Sequence, residues 1–201
     1  ESRWDWSKQY PVIRISFGDG LLRSSAELDQ RIREILQDNA QRLGAVCTHE
    51  SIGGRFAQLI AQAHKSTGQR AVVLIDEYDK PILDNIDNSA VAIEMREGLK
   101  NLYSVLKGSD AHLKFVFMTG VSKFSKVSLF SGLNNLKDIT LDERYSDICG
   151  YTDVDVDTVF APELPGLDRE LIRQWYNGYN WLGTPVYNPF GLLLLFDTRK
   201  F

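Results

Sequence analysis

The run Val72-Val73-Leu74-Ile75 ends in two adjacent carboxylates, Asp76 and Glu77. Aliphatic residues in unbroken succession suit a strand buried on both faces. The acids then stand at its carboxyl end, on a rigid mount. Carboxylate oxygens suit a hard cation such as Mg²⁺, which keeps several of its own waters. Successive side chains of a strand point to opposite sides. Two neighbouring acids can therefore address two targets, one the cation and the other a water to be activated. Without further support the same pair reads equally well as the start of a solvated loop.

A second group follows the next apolar run. Leu113 to Met118 leads into Thr119-Gly120-Val121-Ser122-Lys123. A hydroxyl on Thr119 or Ser122 can hydrogen-bond an attacking water or a phosphate oxygen. The Lys123 ammonium can neutralise charge on a phosphoryl group in transfer. The plainer reading is turn chemistry, because Thr, Gly and Ser are common where strands end.

These residues need elements to hold them. Tyr10 to Phe17 is β-branched and aromatic and stops at Gly18-Asp19-Gly20, which predicts a strand and a turn. Ser24 stands three residues before Glu27, the spacing of a capping box. Leu28, Ile32, Ile35, Leu36 and Leu43 then form one apolar helical face closed by Gly44. A second helix is predicted from Ile52 to Lys65 and a long one from Asn88 to Lys107. Strands are predicted at 71–75, 113–118 and 136–141. Strands alternating with helices imply a parallel sheet with helices on both faces, and ligands of such sheets sit outside the carboxyl ends of the strands. After residue 149 the chain turns acidic, then proline-broken, then helical. The expected division is a core over 1–149 and a small helical appendage over 150–201.

The bulk composition narrows the class. The 201 residues are 43% hydrophobic and carry a net charge of −4, so nucleic acid is not indicated as a partner. The two cysteines, Cys47 and Cys149, form no C-x-x-C pair, and the three histidines lack zinc-ligand spacing. There is no apolar run long enough for a membrane helix, and the first residues are not a signal peptide. A cytoplasmic location is expected. The chain starts without Met and stops on Arg199-Lys200-Phe201, and so reads as a piece of something longer.

Three stretches now carry a resemblance: Asp76-Glu77-Tyr78-Asp79-Lys80-Pro81-Ile82, Thr119 to Ser128, and Phe130-Ser131-Gly132-Leu133-Asn134-Asn135-Leu136. With Tyr10-Pro11-Val12-Ile13, Trp175 to Tyr179 and Val186 to Pro189 they resemble the bacterial predicted AAA-ATPase-like family. That resemblance implies a three-layer P-loop NTPase-like α/β fold of the additional-strand type, often joined to a PD-(D/E)xK nuclease-like region. It implies Mg-ATP as cofactor and ATP as partner. Asp76 then matches the Walker B acid that holds Mg²⁺ through water, and Glu77 the catalytic glutamate. Thr119 and Lys123 fall in the sensor region, and Ser122 beside the nucleotide.

One departure stands out. The family's phosphate-binding loop, G-x-x-x-x-G-K-[ST], occurs nowhere in these residues. Gly18 to Gly20 reads as a turn and Gly53-Gly54 as a helix start. The expectation is a sheet without its Walker A strand, weak or absent Mg-ATP binding by this chain, and an exposed edge open to a protein partner or to self-association. The rival reading is a non-catalytic interaction or scaffold module of a larger protein, with Trp175, Tyr176, Tyr179 and Trp181 either on a partner or in the core. A PD-(D/E)xK nuclease site is disfavoured, because Glu77 and Lys80 have the wrong spacing.

Overall fold

The computed structural model describes Asp5, residues 7–121 and residues 136–201. It falls into two compact units, residues 1–136 and 137–201.

In the first unit a three-stranded parallel sheet has the order β1-β2-β3, with β1 at Val12–Ser16, β2 at Ala71–Asp76 and β3 at Leu113–Met118. Between β1 and β2 run α1, Ser25–Leu43, and α2, Ile52–Thr67. Between β2 and β3 run the short α3, Lys80–Leu83, and the long α4, Ser89–Gly108. The helix ends fall where the sequence marks them. The Ser24 hydroxyl accepts from Glu27 N, and Gly44 and Gly68 close α1 and α2 in the left-handed conformation. Gly53-Gly54 lies in the first turn of α2, as expected.

Among the described residues the helices of this unit lie on one face of the sheet. Both crossovers step the same way across it, and right-handed connections that do so deliver their helices to one side. Helices α1, α2 and α4 pack on one another there, over Ile13, Ile15, Ala71, Val73 and Ile75. Among the described residues no helix of this unit covers the other face. That face presents Val12 beside Val72 and Phe115, then Arg14 beside Leu74 and Phe117. Phe115 is 53% exposed, and its ring stacks on that of Phe117.

The two sheet edges differ. Along β1, Asn39 of α1 accepts from Arg14 N at 2.9 Å and donates to Arg14 O at 2.7 Å. Arg42 donates to Val12 O. Side chains thus occupy the backbone groups that another strand would use. Among the described residues nothing pairs with the far edge of β3.

The second unit holds α5, Asp153–Thr158, α6, Arg169–Tyr176, and α7, Pro189–Thr198. They close on Val156, Ile172, Tyr187, Leu192, Leu195 and Phe196. Arg169 ties the unit together, donating to Asp153, Asp157 and the Tyr187 hydroxyl. The strand predicted at 136–141 does not form. Thr140 N donates to the Asp138 carboxylate and Asp142 N to Ile139 O, which makes a local turn. Among the described residues no strand pairs with this segment, and an unpaired segment does not hold the extended form. No helix among the described residues is long and apolar enough to cross a membrane.

Candidate functional site

Strand register brings the candidate groups together. Ser16 is the partner of Asp76, so the two sit side by side at the carboxyl ends of β1 and β2. Thr119 is the residue after β3, and its N–H donates to Ile75 O at 2.8 Å. Its hydroxyl donates to Asp76 Oδ1. The acid at the end of β2 and the threonine after β3, 43 residues apart in sequence, therefore touch. A cleft of about 280 Å³ opens beside them, lined by Arg14, Ser16, Leu74, Asp76, Phe117 and Thr119. It lies on the uncovered face, at the strand ends where open parallel sheets hold ligands.

Glu77 leaves the strand direction. Its backbone turns to φ 52°, a region non-glycine residues adopt at a cost. A Cβ on Gly18 would come within 3.6 Å of its Oε2, so the Glu77 carboxylate lies close to Gly18. Asp76 is exposed and Glu77 half-buried.

Behind the acids the loops after β2 and β3 are stitched together. Tyr78 N donates to Thr119 O at 2.9 Å, and the Tyr103 hydroxyl donates to Tyr78 O at 2.9 Å. Burial drives the Tyr103 phenol well above its ordinary pKa, and the neighbouring Asp79 adds to the effect. Asp79 is fully buried, and its Oδ1 accepts from Val121 N at 3.1 Å. It is not the surface ion pair with Lys80 that its sequence position allows. Lys80 pairs with Asp84 instead and reaches Gly20 O. Arg144 forks onto Asp142 at 2.8 and 2.6 Å in the second unit. That pairing lowers the Asp142 pKa, with Lys137 assisting.

Ser122 and Lys123 lie outside the described residues. The sequence reading missed Ser16 and Arg14. Ser16 was legible as the last residue of its strand, and Arg14 gave no local signal. The sequence leaves Asp79 open between positioning this loop and a surface ion pair.

Asp76 offers an exposed carboxylate beside a hydroxyl, and among the described residues no group of three or more His, Cys, Asp or Glu converges. That suits a cation that keeps most of its waters, such as Mg²⁺, rather than one held in a closed protein cage.

The profile of the family described as predicted AAA-ATPase matches residues 1–130. The chain belongs to that family. It is also 63% identical, over 199 residues, to an uncharacterized protein in the vnfD 5′ region of Azotobacter chroococcum mcd 1. The match takes in 99% of this chain and 39% of that relative, so the chain spans well under half of the relative's length. No solved structure matches it.

Proposed function

We propose that the chain supplies the acid-pair and sensor side of an ATP-hydrolysing domain whose phosphate loop comes from outside these residues. The observation that carries this is the bond from Thr119 to Asp76 at adjacent strand ends, with Glu77 beside it and an open β3 edge. In this reading Asp76 holds Mg²⁺ through water, and Thr119 fixes which way that carboxylate faces. Glu77 takes up the proton of the attacking water. Bound Mg-ATP would bring the phosphorus centre and offset its negative charge. Lys123 and Ser122 belong to the same reading as phosphate-side groups.

Topology supports it. A strand paired at the open β3 edge and connected forward to β1 would cross the sheet opposite to the two crossovers present. A right-handed connection of that kind places its helix on the uncovered face. The missing strand of an additional-strand P-loop domain would meet both conditions at once. A non-catalytic scaffold is the second reading, supported by the same bare face.

Calorimetric titration with Mg-ATP tests the proposal. This chain should bind weakly or not at all. A family member carrying the phosphate loop should bind, and its counterparts of Asp76→Ala and Glu77→Gln should lose binding and hydrolysis respectively. Hydrolysis untouched by both substitutions would sink the assignment. Absence of binding in the longer protein would favour the scaffold.

A further inference from the structure

We propose that the solvent-facing side of α7 is an internal docking face, covered in longer family members by polypeptide outside the stretch this chain spans. The inference concerns the second unit and stands independently of the ATPase reading.

Helix α7 reads Pro-Phe-Gly-Leu-Leu-Leu-Leu-Phe-Asp-Thr and is apolar on every side. A helix of that composition has no face suited to water, and such helices are normally buried all round. Here only one side is covered. Leu192, Leu195 and Phe196 close the core of the unit. Phe190, Leu193 and Leu194 remain 77%, 46% and 48% exposed. Their spacing of three and four residues makes a single stripe.

The helix cannot rotate to hide that stripe. Asn188 caps it by accepting from Gly191 N at 2.9 Å. The Tyr176 ring packs on Gly191 so closely that a Cβ there would lie 3.1 Å from Tyr176 Cδ1. Turning α7 would break the cap and exchange buried leucines for exposed ones. Helix α6 repeats the pattern on a smaller scale. Leu171 and Trp175 are one turn apart, and Trp175 is 68% exposed. Of the aromatics read from sequence as either on a partner or in the core, Trp175, Tyr179 and Trp181 are exposed, while Tyr176 packs on the core of the unit.

The occupant follows from the relative. It matches this chain almost end to end, yet well over half of its length lies outside the match. From Phe190 to Leu194 the stripe is wholly apolar and meets a charge only at Asp197, at the helix end, which resembles a permanent interface, a core cut in half, rather than a reversible one. Polypeptide within the same chain meets that need without the cost of association.

The test uses thiol labelling. In this chain, with the half-buried Cys47 and exposed Cys149 changed to serine, Phe190→Cys should react with a maleimide as fast as it does in denaturant. A cysteine at the matching position of the longer Azotobacter relative, its native thiols removed, should react about tenfold or more slowly until the protein is unfolded. Equal native rates in the two proteins would overturn the proposal. So would concentration-dependent protection in this chain, matched by a sedimenting dimer that Leu194→Glu disperses, because the occupant would then be a second copy.

Discussion

The side chain of Asn39 takes both backbone groups of Arg14. It accepts from Arg14 N at 2.9 Å, donates to Arg14 O at 2.7 Å and donates again to Ile35 O at 2.8 Å, while Arg42 donates to its Oδ1 at 2.7 Å. An amide has two donors and one two-fold acceptor, and all are used. One helix side chain thereby ends the sheet at β1, while no described strand pairs with β3 on its far edge.

Replacing Asn39 by Ala should therefore do two things. Stability should fall by about 1–3 kcal/mol, since buried partners of Asn39 are left without a bond. Urea unfolding reads that directly. The freed β1 edge should also promote self-association, visible in sedimentation velocity. A variant as stable as the parent would mean water serves the Arg14 backbone equally well.

Thr119→Val removes the hydroxyl that meets Asp76 and keeps the shape. In a family member bearing the phosphate loop, kcat should fall on the order of 10²-fold, with melting almost unchanged. Steady-state ATPase assays alongside calorimetric melting separate the two. Equal losses of activity and stability would make Thr119 a structural residue only.

Gly120→Ala should destabilise the joined loops. The new methyl would sit 2.6 Å from both Asp79 Oδ1 and Tyr78 Cδ1, and neither buried group has room to move. Overpacking of this sort costs about 1–3 kcal/mol, measurable by thermal melting. An unchanged midpoint would show that the loops shift freely.

The second unit should be sensitive to acid. The Tyr187 hydroxyl, and then Arg169, lower the Asp153 pKa, and the Thr152 cap lowers that of Asp155. A carboxyl whose folded pKa lies below its unfolded value adds stability above the unfolded value, near pH 4. That stability is lost as pH falls from there through the folded value. Arg169→Ala should weaken the acid response and lower stability at neutral pH by about 1 kcal/mol, since exposed pairs are screened. Near-UV circular dichroism from pH 6 to pH 2 follows it. Identical acid curves for the two proteins would rule out the Arg169 network as the cause.

Much of this was legible in the sequence. Ser24, Gly44 and Gly68 marked helix ends because capping is a local affair of a few residues. The run ending at Asp76 marked a buried strand with acids at its tip. Residues 136–141 misled, since a strand also needs a neighbour and none pairs with them among the described residues. Asp79 could not be placed, because its bond to Val121 spans 42 residues.

The sequence by itself determined the elements, their order and the acid pair at a strand end, for these follow from periodicity, caps and residue chemistry within short windows. Tertiary structure alone decided that Thr119 meets Asp76, that Asn39 shuts one edge of the sheet, and that, among the described residues, one sheet face and one side of α7 stand bare. Those depend on strand order and on which faces the crossovers leave uncovered, and both arise from packing between segments far apart in the chain.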